Sequence, residues 1–225
     1  MVAKMSQKEL AEPDQFQQTM QKVIAYAVER KKIIAAIAGI AVLLIIAGFG
    51  WFFYDRDYET SAMNLYNSVF ARTVQNPSAV NQQQAVDDYK KMVAKYPRSR
   101  AAQLAQFWLG NIYYQEGDID KAISSYNAFI DKSSSSSDLA SLTYTGLGYC
   151  YESKKDYSKA ITYFEKAVKV RGGNPFEGIN ERNLARIYEM SADRSKAIEH
   201  YRKALEKTTD PSMKRLLNEK IAILA

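Results

Sequence analysis

The hydrophobic pattern changes character once along the chain, at about residue 54. From Ile33 to Tyr54 the chain runs 22 residues without a charge. A helix of that length spans about 33 Å at about 1.5 Å per residue, against a hydrocarbon core of about 30 Å. A cleavable export signal has a shorter apolar region, about 7–15 residues, and closes on a small-x-small site. Here the run closes on Phe49-Gly50-Trp51-Phe52-Phe53-Tyr54, which is bulky and aromatic. The pattern therefore predicts a retained transmembrane helix over 33–54, with Trp51 and Tyr54 at the headgroup level. A buried core helix fits less well, because the run is long, has no polar face and has charged flanks. Upstream, Phe16, Met20, Val23, Ile24 and Ala27 recur at helical spacing behind Asp14, a candidate N-cap. Segment 1–32 reads as a short amphipathic helix lying on a membrane surface.

Beyond Tyr54 the pattern is that of repeated amphipathic helices. Three stretches register without a gap: "FWLGNIYYQEGDIDKAISSYNAF" from Phe107, "TGLGYCYESKKDYSKAITYFEKA" from Thr145 and "RNLARIYEMSADRSKAIEHYRKA" from Arg182. Leu109, Leu147 and Leu184 correspond, as do Gly110, Gly148 and Ala185, then Tyr113, Tyr151 and Tyr188. Asp118, Asp156 and Asp193 follow, then Ala122, Ala160 and Ala197, then Tyr126, Phe164 and Tyr201; the copies are offset by 38 and 37 residues. Leucine, small residue and tyrosine share one face of a first helix. The aspartate suits the N-cap of a second, where a carboxylate accepts backbone N–H groups and meets the positive dipole end. Alanine and an aromatic four residues apart make the inward stripe of that second helix. The small residues let the two helices approach, and the aromatics fill what remains. A single hairpin cannot bury such faces, whereas stacked copies share one core.

The order leucine–small–tyrosine–alanine–aromatic resembles the tetratricopeptide repeat. Ala167 and Ala204 match its next small position, Phe129 departs from it, and the period is longer than the usual 34. The fold expected is all-α: one N-terminal transmembrane helix, then a solenoid of about four hairpins and a capping helix. A weaker first copy has its first helix over about 58–74 and its second around Ala85, Tyr89 and Met92, before Pro97. At the other end Asp210-Pro211 reads as N-cap and N1 of a closing helix with Met213, Leu216, Leu217, Ile221 and Leu224 as its apolar stripe. Ser137 and Asn174 are candidate caps after two short linkers, with Pro175 at N1 and Glu177 at N3 of the second.

Charge sets the orientation. Arg30, Lys31 and Lys32 precede the span, and Asp55, Arg56, Asp57 and Glu59 follow it. Under the positive-inside rule, 1–32 stays in the cytoplasm and 55–225 is exported, in a bacterium to the periplasm. Residues 55–225 carry 25 Lys and Arg against 21 Asp and Glu, without a block of like charge, which does not suggest nucleic acid. One cysteine, Cys150, excludes an intramolecular disulfide, and its place beside Tyr151 suits an inert packed thiol. The one histidine, His200, is expected to face solvent. With no ligand cluster, phosphate loop or nucleophile motif, an enzyme, a metal, a cofactor and a small-molecule substrate are not expected.

What remains is surface for polypeptide. The repeat resemblance implies a concave face lined by the first helices, which holds peptides or partner helices. In that register the groove residues are Phe107, Asn111 and Tyr114, then Thr145, Tyr149 and Glu152, then Arg182, Arg186 and Glu189. Aromatics, amides and arginines together suit extended polypeptide, with the arginines available to carboxylates. They do not match the lysine-and-asparagine clamp that grips a C-terminal carboxylate. The helix-then-span start and the closing "PSMKRLLNEKIAIL" are similar to the YfgM-type family of bacterial inner-membrane proteins. That resemblance implies a non-enzymatic ancillary subunit of the Sec translocon, with exported chains or periplasmic chaperones as partners and lipid around 33–54. The other envelope role open to such a protein is a scaffold in cell division or outer-membrane biogenesis.

Overall fold

The computed structural model describes residues 15–75, 82–132, 138–170 and 175–225, and these are helical with no strand among them. The elements are α1 (Gln15–Glu29), α2 (Lys31–Phe70) with a π-helical turn after it (Ala71–Gln75), α3 (Gln82–Lys95) and α4 (Arg100–Gln115). They continue with α5 (Ile119–Ile130), α6 (Asp138–Ser153), α7 (Tyr157–Val168), α8 (Glu177–Met190), α9 (Arg194–Lys207) and α10 (Pro211–Leu224). Chain contacts divide the molecule into two units, Met1–Asp57 and Tyr58–Ala225.

In the N-terminal unit, α1 leaves Phe16, Met20, Val23 and Ile24 exposed. The turn at Arg30 sets its guanidinium 5.1 Å from the centre of the Tyr26 ring. The following helix has a mean hydropathy of 2.7 over its best 18-residue window, none of it buried. It is long and apolar enough to cross a membrane. The cap expected at Asp14 lies outside the described residues, as do those at Ser137 and Asn174.

In the C-terminal unit each helix from α3 to α10 packs on the next in sequence, and α4 also meets α6. This is a solenoid of hairpins: the end of α2 with α3, then α4/α5, α6/α7 and α8/α9, closed by α10. Leu109, Leu147 and Leu184, with Ala122, Ala160 and Ala197, are all buried. The expected close approach is present. A Cβ added at Gly110 would stand 2.5 Å from the Tyr126 ring, and one at Gly148 would stand 2.6 Å from Phe164. Tyr126 also fills the gap to the next hairpin, 2.7 Å from a Cβ built on Gly146.

The hairpin turn is the same each time. The N–H groups of Asp118, Asp156 and Asp193 each donate 2.9 Å to the carbonyl five residues back, at Tyr113, Tyr151 and Tyr188. Gly117, Lys155 and Ala192 close the inner bond of the same motif with φ of +79°, +59° and +63°. That pair of bonds satisfies the last carbonyls of the first helix and requires a left-handed residue. Only the first turn uses glycine. Each aspartate then caps the second helix, accepting from the N–H of Lys121, Lys159 or Lys196. The same lysines return their ammonium groups to the carboxylates at 2.5, 3.0 and 3.5 Å and sit 5.5, 5.1 and 5.0 Å over the rings of Tyr113, Tyr151 and Tyr188. The hydrogen bonds to the Lys121 and Lys159 side chains are the main reason the Asp118 and Asp156 carboxyls lie below the usual aspartate range.

The weak first copy is a hairpin. Ala85, Tyr89 and Met92 are buried, and the Tyr89 hydroxyl meets Thr73 Oγ1 at 2.9 Å. Glu59 accepts from the N–H of Arg100 at 3.1 Å, so the first helix caps α4 across the hairpin boundary. Asp210 caps α10 by accepting from the Ser212 N–H at 2.9 Å, with Pro211 in the first turn, as expected. Three details differ from the sequence expectation. Helix α8 starts at Glu177 behind Phe176, which makes no side-chain cap bond, so Glu177 is N1 rather than N3. Leu217 is buried in α10, but its neighbour Leu216 stays 46% exposed, because it lies at the mouth of a cleft rather than on the packed stripe. His200 does not face solvent. Its side chain is 14% exposed, stacked on Tyr188 at 5.3 Å, with Nδ1 2.5 Å from the buried Glu181 carboxylate.

Candidate protein-binding face

The first helices of successive hairpins lie side by side, and near their C-terminal ends a side-chain pair bridges each neighbouring couple from α4 to α10. Between α4 and α6 it is Tyr114 with Tyr149, ring centres 6.3 Å apart. Between α6 and α8 it is Glu152 with Arg186, a bidentate pair whose second bond, Arg186 Nη2 to Glu152 Oε2, is 2.7 Å. Between α8 and α10 it is Glu189 with Lys220, at 2.8 Å. The bridges recur because the residue near the end of one first helix lies beside a residue about one turn short of the end of the next. Along the stack the face therefore changes from aromatic to ionic.

Each expected groove residue has a definite place. Asn111 is half-buried and accepts the Tyr126 hydroxyl at 2.7 Å. Tyr114, Tyr149, Glu152, Arg182, Arg186 and Glu189 are half-buried. Tyr149 also makes an edge contact with Phe164 at 5.3 Å. Phe107 is 6% exposed and packs among Trp108, Tyr126 and Phe129, so it belongs to the core. Thr145 is 8% exposed, and its hydroxyl lies 2.6 Å from Asn180 Oδ1 and 2.8 Å from the Ser141 carbonyl. Those two positions are filled because their side chains join hairpins: Phe107 meets an aromatic cluster, and Thr145 meets α8. Asn180 continues through Ser141 to the Ala167 carbonyl, so α6, α7 and α8 share one buried polar chain.

At the ionic end, burial and hydrogen bonding act in opposite directions. Burial raises the Glu189 carboxyl, but hydrogen bonds from Lys220 and from the Tyr201 hydroxyl outweigh it and hold it below the usual glutamate range. Burial is the first cause of the upward shift of the Tyr201 phenol, and its bond to Glu189 adds to it. Arg182 differs from the other cations. Its guanidinium lies 3.6 Å from Met213 Sδ and pairs with no carboxylate among the described residues. Lys220 was missed in sequence because α10 reads as a cap, although its packing on the preceding hairpin is that of one more first helix. Cys150 is fully buried, and burial pushes its thiol up to about 12, far from a reactive thiolate. Among the described residues no group of three or more His, Cys, Asp and Glu is placed to hold a metal.

Residues 29–225 match the tetratricopeptide repeat-like domain family, and the chain belongs to it. Folds of this kind generally mediate protein–protein contacts and are typically scaffolds rather than catalysts. No curated protein matches the chain. Among solved structures, one crystal structure of the MamA protein aligns over 75% of this chain and 81% of its own, with a TM-score of 0.55 at 21% identity. Another MamA crystal structure aligns over 64% and 76%, with a TM-score of 0.54 at 22% identity. MamA from Desulfovibrio magneticus RS-1, residue 41 to its end, aligns over 65% and 75%, with a TM-score of 0.53 at 20% identity. At such identities the likeness is one of fold alone.

Proposed function

We propose that this protein is a membrane-anchored adaptor that binds polypeptide on the face formed by its first helices. Residues 1–32 form its cytoplasmic segment, 33–54 its inner-membrane span and 55–225 its periplasmic domain. The observation that carries the reading is the row of half-buried aromatic and ionic side chains on that face, Tyr114 and Tyr149 through Glu152, Arg186 and Glu189 to Lys220. Half-exposed aromatics and arginines are what protein partners use as anchors. An exposed apolar helix supports the anchor, and Arg30, Lys31 and Lys32 before it support a cytoplasmic N-terminus. Its partners are then subunits of the Sec translocon, periplasmic chaperones or newly exported chains, and it carries no cofactor.

The test is extraction in mild detergent followed by mass spectrometry of what co-purifies. Translocon subunits in the eluate support the assignment. Division or outer-membrane assembly proteins without translocon subunits move it to another envelope scaffold.

A further inference from the structure

Two clefts, of about 270 and 250 Å³, open where α8, α9 and α10 meet, and Arg182 lines both. The second is walled by Arg182, Arg186 and Lys220, with Tyr201, Leu216 and Leu217. Its cations are not equivalent. Arg186 is taken by Glu152 and Lys220 by Glu189, and the Tyr201 hydroxyl is also given to Glu189. Arg182 remains, half-buried against a thioether, which is a weak acceptor. A half-buried guanidinium whose remaining donors face the cleft favours an incoming anion, and its fork fits a carboxylate. Beside it Leu216 is 46% exposed, an aliphatic side chain next to an uncompensated cation.

The geometry points to Arg182 as the donor that holds an acidic side chain of a bound polypeptide, with an aliphatic side chain of the same polypeptide covering Leu216. This rests on the first-helix face being the binding face and names what its C-terminal end selects. In an extended chain, residues two apart point the same way, so the motif is an Asp or Glu two positions from a Leu, Ile or Val. Charge complementarity selects the acidic member. The Glu152–Arg186 and Glu189–Lys220 pairs keep their own partners and shape the cleft.

The probe is an N-acetylated, C-amidated pentapeptide, Ala-Asp-Ala-photoleucine-Ala, irradiated with the full chain in mild detergent. Labelled residues are mapped by mass spectrometry. Label should fall within 213–220, and its yield should drop about tenfold when the probe carries Asn for Asp or the protein carries Arg182→Gln, equivalent to about 1.4 kcal/mol. Arg182→Gln should melt within a degree or two of the parent, because the side chain it removes has only a thioether partner. Equal yields from the Asp and Asn probes overturn the inference. A probe with Asn and a free C-terminal carboxylate that labels 213–220 as well as the Asp probe overturns the side-chain assignment. Label from both probes spread along α4 and α6 ends this inference while leaving the first-helix face standing. Label confined to α5, α7 and α9, or no label with millimolar probe, ends both.

Discussion

Gly148→Ala should destabilise the protein, against the ordinary preference of helices for alanine. In a helix with room around it, the change gains about 1 kcal/mol. Here the new Cβ would stand 2.6 Å from Phe164 Cε1 and 2.7 Å from Cδ1 and Cζ. Carbon atoms in contact prefer about 3.5–4.0 Å, so the ring or the helix must retreat by about 1 Å. Phe164 is fully buried and has Tyr149 edge-on at 5.3 Å, which leaves it no open side to move into. Overpacking of this kind costs about 1–3 kcal/mol. Set against the helix gain, the net expectation is a loss of up to about 2 kcal/mol. The assay is urea unfolding of the full chain in mild detergent, followed by far-UV circular dichroism. Adding Phe164→Leu should recover part of the loss, with a coupling of about 0.5–3 kcal/mol between the two sites. The fourth hairpin already has Ala185 at this position, buried against its own pair of helices, so an alanine is tolerated where the aromatic is seated to suit. A gain of about 1 kcal/mol from Gly148→Ala, with no coupling to Phe164, would refute the claim that close approach is why glycine is there.

Lys155 and Ala192 hold left-handed backbone without being glycine, so Lys155→Gly and Ala192→Gly should each raise stability by about 1 kcal/mol in the same urea assay. Leu109→Ala should cost about 2–5 kcal/mol, a cavity effect visible in the unfolding midpoint. Deleting 211–225 should expose Tyr201 and Leu217's packing site and lower the melting temperature or cause aggregation, read by scattering during a thermal scan. Glu189, Asp118 and Asp156 have carboxyls held below their unfolded values of about 4, so their stabilisation is complete above that pH and is lost as pH falls through the lower folded values. The melting temperature should therefore drop on the acid side, and Glu189→Gln should flatten that drop.

The repeat was legible in sequence because its signals are local and recur. Leu109, Gly110, Tyr113, Asp118, Ala122 and Tyr126 each do one job in one hairpin, and the job is repeated at fixed spacing. The caps at Asp118, Asp156, Asp193 and Asp210 follow from the same locality. What sequence did not show lies between hairpins. The Thr145–Asn180–Ser141 chain joins residues far apart in sequence that have no periodic signature, so Thr145 reads as groove lining until its partner on α8 is seen. Phe107 likewise reads as an exposed aromatic until Phe129, the departure from the repeat pattern, is found 5.9 Å from it. His200 sits on the outer side of a helix by pattern, but Tyr188 and Glu181 cover it from the neighbouring helix α8. The left-handed positions Lys155 and Ala192 are not legible in sequence, because lysine and alanine carry no sign of such a backbone.

The most direct test of the account places a photoreactive phenylalanine at Tyr114, at Tyr149 and, on the other side of the solenoid, at the exposed Thr162 of α7, in the full chain in native membranes. Both tyrosines are half-buried ring positions, so the probe replaces like with like. The account predicts polypeptide crosslinks from 114 and 149 and few or none from 162. Crosslinks dominated by 162, or absent from 114 and 149 while other envelope proteins are captured at 162, would contradict the assignment of the first-helix face as the binding surface.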